Sequence, residues 1–171
     1  SSGGLAHAAG GSSVTHYQVK ATALPFLDGF AFGADYLEFS GVIGAPDQAP
    51  SSGAYYATYS VGPAVIGYSK SFADLPLSAI NSEQVENVEN RKYSIGLNVN
   101  DSLSVSYENE QSKPKTNTSA TTQYTMESTG IQAAYTMGGM TLGVAMNDHE
   151  NATYTQNKDV KDTVFTVEMA F

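Results

Sequence analysis

The sequence predicts an all-β fold: an antiparallel, up-and-down sheet that closes into a membrane-spanning barrel. Three observations predict it. Short segments alternate apolar and polar residues with a period of two, the pattern of strands whose two faces meet different surroundings. The connections between them alternate short and long along the chain. The aromatic residues, 11 Tyr and 7 Phe, fall mostly in the apolar rows and often near segment ends, where an interfacial girdle needs them.

Nine segments carry the alternation. Residues 14–24 align Thr15, Tyr17, Val19, Ala21 and Ala23, and residues 29–40 align Phe30, Phe32, Ala34 and Tyr36. Residues 54–60 align Tyr55, Ala57 and Tyr59, and residues 64–72 align Ala64, Ile66 and Tyr68. Residues 91–99 carry Tyr93, Ile95, Leu97 and Val99, and residues 102–109 carry Leu103, Val105 and Tyr107. Residues 123–136 carry Thr129, Ile131, Ala133 and Tyr135, and residues 139–147 carry Met140, Leu142, Val144 and Met146. Residues 162–171 end the chain with Phe165, Val167, Met169 and Phe171. No helical period is visible.

The short connections are 25–28, 61–62, 100–102 and 137–138, and the long polar ones are 41–53, 73–90, 110–122 and 148–161. A soluble sandwich mixes loop lengths at both ends and routes strands in Greek keys. Long loops gathered at one end and tight turns at the other are the habit of an outer-membrane barrel.

Register supplies an internal test, because directly opposed residues of an antiparallel pair share a face. Pairing Leu24 with Gly29 opposes Tyr17 to Tyr36, Val19 to Ala34 and Ala21 to Phe32. Pairing Thr136 with Gly139 opposes Tyr135 to Met140 and Ala133 to Leu142. The turn at 100–102 opposes Val99 to Leu103 and Leu97 to Val105. Each hairpin keeps its apolar residues on one side. The other side carries His16, Gln18, Lys20, Thr22, Asp35, Lys92, Ser94, Asn98, Ser104, Ser106, Glu108, Gln132 and Glu168, too polar for a buried core. Hydrocarbon outside and water inside is the arrangement this implies, and in hydrocarbon a sheet has to close on itself to pair its backbone.

Composition excludes other classes. The 171 residues suit one domain or a piece of a larger one. A net charge of −9 argues against nucleic acid. The absence of Cys removes disulfides, thiol catalysis and Cys-based zinc sites. With 41% apolar residues the chain is too hydrophobic for a solvated disordered segment, and no apolar run is long enough for a transmembrane helix. No nucleophile elbow, phosphate loop or HExxH motif occurs, so catalysis is not expected; a wall-mounted Ser and His would be needed for it. The glycosylation-type tripeptides at Asn117 and Asn151 read as polar loop tips.

The closing stretch GVAMNDHENATYTQNKDVKDTVFTVEMAF resembles the end of a Gram-negative porin, with a long polar loop, a last alternating strand and a terminal Phe171. The hairpins YTMESTGIQAAYTMGGMTLGVAMND and YSIGLNVNDSLSVSYENE are similar to those of alphaproteobacterial general porins. The likeness is clearest over residues 90–171. It implies that Phe171 belongs to the signal read by the outer-membrane assembly machinery, that the protein is a homotrimer, and that both barrel termini are periplasmic.

With that orientation the last strand runs inward, and so does the ninth one back. Residues 1–13 are then the remnant of a surface loop, and 14–171 the C-terminal portion of a barrel of about 16 strands. The inward-folded constriction loop would lie in the missing part. The competing reading is a self-contained eight-stranded barrel, with residues 14–24 not spanning.

The implied function is a water-filled channel passing small hydrophilic solutes, with wall charge biasing selectivity. Expected pore-lining residues are His16, Gln18, Lys20, Asp35, Lys92, Glu108, Gln132 and Glu168. Lys20 would oppose Gly33 and lie diagonal to Asp35; Lys92 would oppose Glu110 and lie diagonal to Glu108. The expected lipid-facing girdle is Tyr17, Tyr36, Tyr59, Tyr93, Tyr107, Tyr135, Phe165 and Phe171. Asp47, Asp74, Glu83, Glu86, Glu89, Asp148, Glu150 and Asp159 fall in the long loops. They read mainly as a solvated acidic surface, although divalent cations could bridge them to each other or to lipopolysaccharide phosphates. Asp148, His149 and Glu150 resemble a metal triplet by composition alone. The alternative function is a surface-exposed adhesin or structural module using the long loops to bind.

Overall fold

A computed structural model describes residues 13–22, 24–25, 27–39, 50–80, 83–116 and 124–169, with the backbone alone described for 75–80 and 83–85. Among these residues the chain forms nine strands and one short 3₁₀ turn, η1. The strands are β1 Val14–Ala21, β2 Phe30–Phe39, β3 Ser51–Val61, β4 Ala64–Ile80, β5 Glu83–Asn98, β6 Leu103–Thr116, β7 Met126–Met137, β8 Met140–Glu150 and β9 Val160–Met169; η1 is Ala152–Tyr154. They make a single antiparallel sheet in the order β1 to β9, each strand paired to the next in sequence. β1 and β9 are its two edges.

The pairings sort the side chains as the alternation predicts. Tyr17 opposes Tyr36, Val19 opposes Ala34 and Ala21 opposes Phe32. The apolar row continues through Ile66 opposite Ile95 and Tyr68 opposite Tyr93, Leu97 opposite Val105, Tyr107 opposite Ile131 and Val144 opposite Phe165. Tyr68 and Tyr93 pack with ring centroids 5.1 Å apart, and Tyr55 and Tyr68 at 6.1 Å, within the range of favourable aromatic pairs.

Among the described residues no second layer covers the apolar face of this sheet. Among the described residues no large side chain is fully buried, and Phe165 is 78% exposed, Ile131 56%. Packing of a hydrophobic core is what holds most sheets together. Here the backbone ladder and contacts along each face do so, and the apolar side stays bare.

The tight turns have local causes. Gly138 supplies a left-handed φ of +59° in the two-residue turn between β7 and β8. Between β5 and β6, the Asn100 side chain accepts hydrogen bonds from the Ser102 and Leu103 amides, each at 2.9 Å, an Asx turn. Gly29, at φ +78°, lies against the Ser60 carbonyl, and its own carbonyl accepts from the Ser60 amide at 2.7 Å. A side chain there would meet that backbone.

Several boundaries differ from the sequence reading. The β7–β8 turn is Gly138–Gly139, so Thr136 opposes Thr141 and Tyr135 opposes Leu142 rather than Met140. The two-residue slip preserves the faces. The β3–β4 turn is Gly62–Pro63, since Val61 opposes Ala64. Of the expected long loops, 73–90 is largely strand, and 110–122 and 148–161 begin as strand. β4 and β5 continue to the pair Ile80 and Glu83, β6 runs to Thr116 and β8 to Glu150. Polar side chains do not end a strand while its partner continues, because ladder bonds are made by backbone. The expectations on residues 1–12, Asp47, residues 117–119 and Phe171 lie outside the described residues.

Candidate functional site: the polar face

The polar face is built by the residues between those of the apolar rows. His16, Gln18, Lys20, Asp35, Lys92, Glu108, Gln132 and Glu168 all share it: Gln18 opposes Asp35 and Lys20 opposes Gly33, while Gln132 opposes Ser106 and Ala145 and Glu168 opposes Thr141. Tyr17, Tyr36, Tyr59, Tyr93, Tyr107, Tyr135 and Phe165 share the opposite one and are exposed there.

One row of the ladder crosses the whole sheet on this face. It runs Lys20, Gly33, Tyr56, Ser69, Lys92, Glu110, Ser128, His149 and Val160. The next row carries Ser94, Glu108, Gly130, Asn147 and Asp162. Together they form a strip of ionisable groups, cations on β1 and β5 and carboxylates on β6 and β9. Lys92 Nζ reaches the carboxylate of Glu108 at 2.7 Å across the diagonal, as the register implies. Both partners keep over a third of their surface in solvent, so the pair contributes little stability, about 0.2–1 kcal/mol. Its worth lies in fixing where charge stands.

Small residues keep the strip open. Gly130 lies between Glu108 and Asn147, either of which a Cβ would crowd at 3.2 Å. Tyr56 lies across Gly33, with ring carbons where a Cβ would stand. Towards the short-turn end, a depression of about 410 Å³ is lined by residues of six successive strands, among them Val65, Gly96, Ser106, Gln132, Gly143 and Thr166. Those six residues stand on the polar side of the sheet.

The sequence reading missed a connected group at the far end of this face. His149 Nδ1 and the Ser128 hydroxyl are 2.8 Å apart, and His149 Nε2 lies 3.4 Å from Asp162. Asn147 donates to the same carboxylate at 2.9 Å. A hydroxyl, imidazole and carboxylate in line are the group types of acyl transfer. The Ser128 backbone is paired to β6 and β8, and the three side chains form a hydrogen-bonded rib across this face. Asp148 and Glu150 point to the other face, where Asp148 pairs with Lys161; the consecutive triplet therefore diverges, as alternation in a strand demands.

Beyond the rib, the β8–β9 connection folds over the polar face. Ser112, only 3% exposed, hydrogen-bonds the Tyr154 hydroxyl at 2.8 Å. The bend that brings Tyr154 there uses left-handed φ at Asn151, Thr153, Tyr154 and Asn157, a costly conformation for a β-branched Thr. Asn151 ties the loop down by donating to the Thr125 carbonyl at 3.2 Å and accepting from the Asn157 amide at 3.0 Å.

Three further acidic residues of the expected long connections have their own partners. Asp74 accepts from the amide and hydroxyl of Ser51 at 2.8 and 2.7 Å, Glu89 pairs with Lys70 at 3.1 Å, and Asp159 accepts from the Asn151 amide at 3.1 Å. Among the described residues no three His, Asp or Glu side chains converge as metal ligands. Comparison with protein-family models, with curated proteins and with solved structures returned no match.

Proposed function

We propose that this sheet is part of the wall of an outer-membrane diffusion pore, with lipid against its apolar face and water against its polar one. The carrying observation is the bare apolar face of a nine-stranded sheet over which the described residues place no second layer. An apolar surface this extensive needs a non-aqueous neighbour, and rows of tyrosine along it suit a bilayer interface. The porin-like C-terminal pattern points the same way.

In hydrocarbon, the free backbone groups along the outer edges of β1 and β9 require partners. Single-chain bacterial barrels hold even numbers of strands, so we assign further strands to those edges, for a barrel of about 16 in all. At that size the interior is an aqueous channel and not a packed core. Strand tilt then winds the Lys20–His149 row into a slanting charged stripe around the lumen. Small hydrophilic solutes pass down their gradients, biased by that stripe. The loop carrying Tyr154 narrows the end with the long connections, which is the extracellular end in this reading. The outer leaflet, with its lipopolysaccharide, surrounds that end, and a homotrimer gives part of the apolar face a protein neighbour.

The test is reconstitution. In detergent the protein should migrate in a heat-modifiable form, and in planar bilayers it should produce stepwise, long-lived conductance. A protein that stays soluble without detergent and never conducts would overturn the pore and favour a surface-exposed adhesin or structural module.

A further inference from the structure

We infer that the outer wall of this protein carries a docking site for the phosphorylated sugar headgroup of an outer-leaflet glycolipid, formed by Lys70, Arg91 and Lys113. The inference rests on the pore reading, which fixes which face meets lipid, and adds a partner site on that face.

The chain holds eight Lys and Arg against 17 Asp and Glu, so a local excess of cations is unexpected. Yet four of the eight, Lys70, Arg91, Lys113 and Lys115, lie on the apolar side of three adjacent strands. Lys70 opposes Arg91, and Lys113 and Lys115 follow on β6 opposite Glu89 and Asn87. They begin one step beyond the row of Tyr68 and Tyr93, and Tyr55 opposes Lys70 in their own first row. Aromatic rings at that level mark the depth of the headgroups, so the next residues out meet phosphate and sugar.

A depression of about 430 Å³ opens there, lined by Tyr55, Tyr68, Lys70, Arg91, Gln111 and Lys113 together with Glu89. Three cations face one carboxylate. Glu89 is held by Lys70 at 3.1 Å. Nearby, Glu127 accepts from Asn109 and Gln111 at 2.8 and 3.3 Å. Arg91 is set in place by the Gln111 side-chain oxygen at 2.7 Å and by the Tyr93 ring, 5.9 Å to the centroid, which leaves further guanidinium N–H groups for phosphate oxygens. Lys113 is exposed and makes no ion pair among the described residues. Arg91 and its neighbour Lys92 thus serve opposite sides of the wall.

The experiment compares the full protein in detergent with its R91Q/K113Q and K113Q variants. Binding is measured to the phosphorylated lipid anchor of lipopolysaccharide, to the same anchor after dephosphorylation, and in competition with inorganic phosphate. We expect the parent to prefer the phosphorylated anchor, R91Q/K113Q to bind it about twentyfold more weakly and K113Q about fivefold. K158Q, in the β8–β9 connection, should match the parent. Equal affinities of parent and variants, or equal binding of the dephosphorylated anchor, would overturn the site. Inorganic phosphate binding as tightly as the anchor would make the ligand a free anion and overturn the lipid assignment. K113Q, which removes no ion pair or side-chain hydrogen bond among the described residues, decides the matter if the double variant fails to fold. A parent that conducts in bilayers but shows no phosphate preference refutes this site alone; a parent that never enters a bilayer refutes the pore and this site with it.

Discussion

Replacing Ile131 with arginine is expected to abolish assembly into a bilayer, while arginine one residue later, at Gln132, leaves assembly intact. The two side chains leave the same strand on opposite faces. Ile131 is flanked by Tyr107 and Met146 on the apolar side, where in the pore reading it faces lipid tails. An arginine near the middle of a barrel's lipid face costs about 2–4 kcal/mol, a factor of about 30 to 1,000 in the folded population. Gln132 sits between Ser106 and Ala145, small neighbours beside the hollow, with room for a longer, hydrated side chain. Folding yield into lipid vesicles, read from heat-modifiable migration, measures both. Equal yields would show that the faces do not differ in solvent.

In the pore reading, neutralising Lys92 is expected to make the channel more selective for cations, and neutralising Glu108 to make it more selective for anions. Lys92→Gln leaves Glu108 without its partner at 2.7 Å, so the wall gains one net negative charge. Glu108→Gln has the opposite sign. A unit charge about 4 Å from a passing ion is worth about 1 kcal/mol in water-like surroundings, which changes a permeability ratio about fivefold. The double variant should return close to the parent. Thermal stability should barely move in any of the three, because a pair this exposed contributes under about 1 kcal/mol. Reversal potentials in a salt gradient give the ratio, and a stability change without a selectivity change would reduce the pair to a wall brace.

Most of the sheet was legible in the sequence because its two faces differ so strongly. Tyr17, Val19 and Ala21 could be matched to Tyr36, Ala34 and Phe32 from the alternation alone, and the structure has the same pairs. The slip at β7–β8 arose because MGGM offers two positions for a two-residue turn, and the alternation, which is indifferent to a shift of two, cannot choose between them. The strand ends were misplaced for a different reason. Stretches such as DLPLSAI and EQVENVEN look like loop by polarity, but a hairpin that leaves an apolar zone continues to pair its backbone.

The two features the structure adds needed more than single segments. Lys70 and Arg91 lie in residues 64–72 and 91–99, and their parity with Tyr68 and Tyr93 puts them on the apolar side, but Lys113 joins them only because β6 continues through the expected loop. The rib of Ser128, His149 and Asp162 needed the pairings β7–β8 and β8–β9 together. Aligning Leu142 with Val167 fixes Asn147 opposite Asp162, and the Gly138–Gly139 turn fixes His149 opposite Ser128. The signal was present but required each hairpin in its true register.

The alternation of environments along a single strand tests the account most directly, and the absence of cysteine from the chain makes the test clean. Single cysteines placed in turn at Ile131, Gln132, Ala133, Ala134 and Tyr135 of the membrane-inserted protein would be exposed to a charged, water-soluble thiol reagent. The account predicts fast labelling at 132 and 134 and protection at 131, 133 and 135, reversed for a lipid-soluble probe. Uniform labelling of all five, or protection of 132 and 134 in place of their neighbours, would contradict it.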